Sequence, residues 1–88
     1  MTDHTTLPAW LPSEHAERLE ALRASDPGFI RLPRVVALTG LSKSTVWDRS
    51  RLGTFPAPVK IGEHATAWKK AEVLAWMESR PSALGSVA

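Results

Sequence analysis

Gly40 and Gly53 bracket the stretch LSKSTVWDRSRL, which holds no proline and has a serine placed to start a helix. Glycine is the residue best able to take the left-handed backbone that closes a helix. Ahead of Gly40 stands PRVVALT, where Pro33 suits a first helical position because its missing N–H is not needed there. Val35, Val36 and Leu38 supply the apolar side of that helix, and Leu41 enters the turn as a core plug. Ser42 is a good N-cap for a second helix from Lys43 to about Leu52. Two short helices joined by a tight glycine-containing turn are the signature of a helix-turn-helix, and nothing else in the chain restricts its fold as strongly.

The flanking segments complete the architecture. In TFPAPVKIGEHATAW, Pro56 and Pro58 exclude helix, Val59 and Ile61 alternate around Lys60, and Gly62-Glu63-His64 reads as a hairpin turn before a returning strand. A hairpin directly after a helix-turn-helix is a wing. A last helix, AEVLAWMESR, sets Val73, Trp76 and Met77 at i, i+3 and i+4 and stops at Pro81. Upstream, FIRLP suits a short strand. Pro8 and Pro12 exclude helix before Ser13, which is expected to cap a helix over about 13–25. Glu14 and Glu17 then stand in the first turn, where the helix dipole favours them, and Asp26-Pro27-Gly28 ends the helix. Its apolar stripe is narrow: Ala16, Leu19 and Arg23 share one side, with Leu22 at i+3 from Leu19. Packing on the module, dimerisation and solubilising the terminus all stay open as its role. The expected organisation is an N-terminal extension over 1–28, a winged helix-turn-helix domain over 29–80 and a disordered tail over 81–88. The fold class is mainly α with a small β-hairpin.

Eighty-eight residues fit one compact core, and 43% hydrophobic content is enough to build it. Trp68 and Trp76 are expected inside, where each can bury roughly 150–250 Å². The chain has no cysteine, which rules out disulfides, a thiolate nucleophile and cysteine-based metal sites. His4, His15 and His64 have no metal-ligand spacing, so neither metal nor cofactor is expected. No apolar run is long enough for a membrane helix, and MTDHTTLPAW lacks the charged and apolar regions of a signal peptide, so a cytoplasmic location is expected. An enzyme is not expected either. There is no glycine-rich phosphate loop, no nucleophile with a matching histidine and acid, and no paired carboxylates beyond surface glutamates.

Charge is unevenly spread although the net is only +2. Residues 1–28 hold Arg18 and Arg23 against Asp3, Glu14, Glu17, Glu20 and Asp26. Residues 29–88 hold nine lysines and arginines against Asp48, Glu63, Glu72 and Glu78. An acidic appendage on a basic module points to a polyanionic partner.

With Val46 inward on the second helix, Ser42 and Ser50 fall beside it. Ser44, Trp47, Asp48 and Arg51 point away, and Lys43, Thr45 and Arg49 lie on the flanks. A recognition helix reads base edges in the major groove with its N-terminal residues, and its free backbone N–H groups attract phosphate. Lys43, Ser44 and Arg51 are therefore the leading DNA contacts, with Arg49 able to reach guanine or phosphate. Ser42 and Thr45 have a mainly structural reading, as a cap and a semi-buried helix residue. Trp47 either packs on a sugar or thymine methyl or covers the base of the wing, the latter being preferred. Asp48 pairs with Arg51 or Arg49, or accepts from a cytosine amino group. In the wing, Lys60 offers a cation and His64 either reaches the DNA or is simply solvated. Lys69 and Lys70 are solvated charges or phosphate contacts at its base.

These motifs, LP.V, TGLS.ST, the aromatic Trp47, G.FP.PVK.G, Trp68 and EV.AWM, lie within residues 29–80. Their spacing closely resembles the AlpA-type phage and prophage regulators, relatives of excisionases within the MerR-like winged-helix superfamily. The resemblance implies a small protein that binds double-stranded DNA, as a transcriptional regulator or as a recombination directionality factor bending DNA beside an integrase. It places Ser42, Lys43, Ser44, Thr45, Trp47 and Arg51 on the family's recognition helix and Gly62 to His64 at its wing tip. A second copy of the chain is an expected partner on DNA, as a dimer or a cooperative array. The rival of another class is a protein-interaction adaptor without DNA binding. Three positions depart from the family pattern. His64 stands where arginine is common, implying a weaker or pH-dependent wing contact. Ser50 replaces an apolar residue and is expected to thin the buried face. Ala71 replaces a serine-like cap, a loss of about 1 kcal/mol. Glu63 also lowers the positive potential of the wing.

Overall fold

The computed structural model describes residues 7–84. Among them run a 3-10 turn at Ser13–His15, then α1 (Ala16–Ser25), β1 (Phe29–Ile30), α2 (Leu32–Thr39), α3 (Lys43–Leu52), β2 (Val59–Gly62), β3 (Ala65–Lys69) and α4 (Lys70–Glu78). The strands form an antiparallel sheet in the order β1-β3-β2. This is the expected mainly-α helix-turn-helix with its wing. The short strand read in FIRLP joins the hairpin through Phe29↔Lys69 and Ile30↔Trp68. His4, residues 1–6 of the N-terminal stretch read for a signal peptide and residues 85–88 of the expected tail lie outside the described residues, whereas residues 81–84 are exposed and outside any helix or strand. No helix among the described residues is long and apolar enough to cross a membrane.

The two glycines close their helices as turn chemistry requires. Gly40 has φ 78° and Gly53 φ 82°, and each donates its N–H back into the helix it ends. A Cβ built on either would meet nothing within 4 Å, so the left-handed backbone, not crowding, demands glycine there. Thr39 stitches the turn: its hydroxyl donates to the Val35 carbonyl at 2.8 Å and accepts from the Leu41 N–H at 3.2 Å. Pro33 sits one position later than expected, behind Leu32, with Arg31 as the N-cap residue. The first turn of a helix leaves its N–H groups free, so proline is tolerated at this second position as well.

Val35, Val46, Phe55, Trp68, Val73 and Trp76 form the core of the helix-turn-helix and wing. Trp68 is fully buried, and its indole N–H donates to the Pro56 carbonyl at 3.0 Å and to Ser50 Oγ at 3.3 Å. Ser50 Oγ in turn donates to the same carbonyl at 2.9 Å. Ser50 therefore does not thin the buried face. It is the polar node that lets a buried indole and a buried loop carbonyl coexist, since an unpaired group there would cost about 1–3 kcal/mol. Trp76 packs edge-on to Phe55 at 4.7 Å and donates to the Thr54 carbonyl at 2.8 Å.

A second apolar cluster joins Leu11, Leu19 and Leu22 to Ala71 and Ala75 of α4. Helix α1 thus packs on the module. Ser13 does not cap it, because the 3-10 turn, closed by the His15 N–H on the Pro12 carbonyl, delays the α-helix to Ala16. Ala71 is likewise no lost cap. Strand β3 runs into α4 with no residue between them, so Lys69 occupies the cap position and Ala71 lies inside the helix, buried against α1. A larger side chain at 71 would push α1 away. Outside this cluster Arg18 grips Glu78 with two hydrogen bonds of 2.7 and 3.0 Å, Arg23 reaches Glu20 at 2.6 Å, and Lys70 lies 3.4 Å from Asp26.

Candidate nucleic-acid interface

Helix α3 presents its hydroxyls in two ways. Ser42 Oγ accepts from the Thr45 N–H at 3.2 Å and donates to Thr45 Oγ1 at 2.8 Å, so these two hydroxyls close the helix start on each other. Lys43 and Ser44 are exposed on the first turn. The Ser44 hydroxyl is only loosely held, 3.4 Å from Ser42 Oγ, and Lys43 has no ion-pair partner among the described residues. No acidic residue stands in that turn, so its free N–H groups and Lys43 present an uncompensated positive end to solvent.

Farther along, Asp48 and Arg51 are exposed and pair with each other, which settles the orientation of Asp48. Arg49 is exposed near the end of α3, with its backbone carbonyl accepting the Thr54 N–H at 3.0 Å. It has a neighbouring charge far away in the chain. Arg80 lies over the Trp76 ring at 4.4 Å and donates from Nε to the Trp76 carbonyl at 3.1 Å. Its pKa is lowered from the ordinary arginine value, first by burial and then by the Arg49 charge. Only the three-dimensional fold brings these two like charges near each other, since they lie 31 residues apart.

Trp47 is half-buried. Its ring meets Trp68 edge-on, with centroids 5.2 Å apart and planes at 63°, so it covers the base of the wing and does not point straight outward. In the wing, Lys60 and His64 are exposed and Glu63-His64 makes the turn, so Gly62 belongs to the strand. A register shift between Lys60 and Gly62 bulges the strand at Ile61, which is exposed. Trp47 and His64 come together with Arg31, Thr66 and Trp68 around one open groove of about 370 Å³. Lys69 goes elsewhere. The period-2 alternation of β3 puts it opposite Trp68 and Thr66, in a smaller groove with Arg23, Asp26 and Phe29. Among the described residues no group of histidines and carboxylates could hold a metal ion.

Comparison with known proteins covers the same stretch. The family model for the prophage CP4-57 regulatory protein (AlpA) matches residues 28–81. An uncharacterized protein of Enterobacteria phage P4, ORF88, is 46% identical over 52 residues, which is 59% of this chain. The match likewise spans 59% of the length of that relative. No solved structure matches significantly. The glycine-closed turn, α3, the wing and α4 all fall inside the matched stretch, and the chain belongs to the AlpA family of prophage regulatory proteins.

Proposed function

We propose that the chain binds double-stranded DNA in a sequence-specific way and acts as a transcriptional regulator of the phage or prophage type. The observation that carries this reading is the first turn of α3, where Lys43 and Ser44 stand exposed and unneutralised while Ser42 and Thr45 are occupied with the cap. In the major groove, Ser44 and Lys43 meet base edges and the free N–H groups meet a phosphate. Arg49, Arg51 and Lys60 flank that surface and fix the register on the backbone, which positions the protein without reading sequence. Arg51 contributes less than Lys43 because Asp48 already holds it. A helix this short reads few base pairs, so a second copy on an adjacent half-site supplies the rest of the affinity.

Selection of bound sequences from a random duplex pool tests the reading and returns both the site and its symmetry. On the selected site, Lys43→Ala is expected to weaken binding about tenfold with an unchanged melting temperature, and the slope of affinity against salt falls by about one. A Lys43→Ala mobility shift indistinguishable from that of the unaltered chain would remove α3 from the interface. Curvature of the selected duplex in the bound state, strengthened by an integrase, would instead mark a recombination directionality factor.

A further inference from the structure

The groove between the start of α2 and the wing brings a cation and several hydrogen-bond donors together with no anionic side chain. Arg31, Trp47, His64 and Thr66 line it over Trp68, and no carboxylate does. Arg31 has no ion-pair partner among the described residues, whereas Arg18, Arg23 and Arg51 each have one. The tryptophans differ in the same sense. Trp68 and Trp76 give their indole N–H to backbone carbonyls at 3.0 and 2.8 Å. Trp47 has its ring fixed edge-on against Trp68, yet its N–H has no hydrogen-bond partner among the described residues. Arg31 and Trp47 line the same groove, and an unpaired guanidinium together with a free N–H donor on a ring held in place suits an oxyanion. Trp47 also stands one helical turn beyond Lys43, so the groove adjoins the exposed first turn of α3.

We infer that this groove seats one backbone phosphate of the bound duplex, held by the Arg31 guanidinium and the Trp47 indole N–H, with His64 and Thr66 at its rim. The inference rests on the DNA-binding reading and adds residues that lie outside α3. Arg31 supplies the charge, and Trp47 supplies direction, since an indole N–H donates well only to oxygens within a narrow range of positions. The seat makes the angle between wing and α3 part of the recognition.

The test uses the full chain and the selected duplex. Trp47→Phe keeps the ring and deletes the N–H, and Arg31→Ala removes an exposed charge from the start of α2. Both are expected to weaken binding about tenfold. Only Arg31→Ala lowers the salt slope, by about one, because the indole is neutral. Replacing the phosphates of the duplex one at a time with neutral methylphosphonate locates the seat: one position weakens the unaltered chain but no longer affects either variant. Unchanged affinity for both variants, with Lys43→Ala still impaired, would overturn the seat and leave the DNA reading standing. Competition by inorganic phosphate at matched ionic strength, with no sensitive backbone position, would make this a free-anion site and overturn its assignment to the duplex. Failure to enrich any duplex would remove the DNA reading and the seat together. Should Trp47→Phe fail to fold, the Arg31→Ala slope and its methylphosphonate pattern decide alone.

Discussion

The two sides of α4 are built by opposite rules. Towards α1, its small residues Ala71 and Ala75 receive Leu19 and Leu22, and the charges around the contact neutralise one another: Arg18 with Glu78, Arg23 with Glu20 and Glu72, Lys70 with Asp26. Towards α2, α3 and the wing, Val73 and Trp76 join a core of large side chains with their polar atoms tied to backbone carbonyls. On that side Arg51 is held by Asp48, but the exposed Arg31, Lys43 and Lys60 have no carboxylate within ion-pair distance among the described residues. Charge paired within the chain stabilises it only weakly when solvated. Charge left unpaired gains nothing from a partner within the chain, and it lies on the side proposed above to meet DNA.

Removing Trp68 is the severest way to break this contrast. Trp68→Ala empties a fully buried site and takes a donor from Pro56 and Ser50, at roughly 3–5 kcal/mol, which is most of the stability of a domain this small. Urea denaturation is expected to show little or no folded baseline, and DNA binding disappears with the fold. Leu22→Ala comes next. It opens a cavity in the α1 layer and costs about 2–3 kcal/mol, a clear fall in melting temperature, while duplex affinity stays within about twofold of the unaltered chain, in keeping with small changes at sites away from the contact. Loss of binding by Leu22→Ala at a temperature where it is fully folded would dissolve the division between the two sides.

The smallest effect concerns the Arg18–Glu78 pair. The hydrogen bond from Arg18, followed by its charge, holds the Glu78 carboxyl below the ordinary carboxylate value against the opposing effect of burial. A folded pKa below the unfolded one means that the contribution is present above the unfolded value and fades as pH falls through the folded one. The melting temperature of the unaltered chain should therefore exceed that of Glu78→Gln slightly at neutral pH, with the gap closing below the usual carboxylate range. Both groups stand in water, so the gap is small. A gap that widened on acidification would contradict the pairing.

What could be read from the chain alone was chemistry that acts over a few residues. Gly40, Gly53 and Ser42 are local devices, and a backbone conformation or a cap is specified by its immediate neighbours. Trp68 and Trp76 were legible as core because rings of that size have nowhere else to go in a chain this short. Ser50 and Ala71 were misread for one shared reason. Each looks like the absence of something, an apolar residue or a cap, until the partner from a distant segment arrives: the Trp68 indole for Ser50, the α1 leucines for Ala71. The groove around Arg31, Trp47 and His64 was illegible for the same cause, since it joins residues from three separate stretches through the β1–β3 and Trp47–Trp68 contacts. The nearness of the Arg80 and Arg49 charges, which lowers the Arg80 pKa, likewise joins residues far apart in the chain. Sequence distance hid these sites; their chemistry is ordinary.

The direct passage of β3 into α4 has a mechanical side. Lys69 ends the strand and Lys70 begins the helix, so the hairpin has no hinge where it meets the rest of the molecule. The heading of β3 therefore sets the heading of α4, and through the seats at Ala71 and Ala75 the heading of α1 as well.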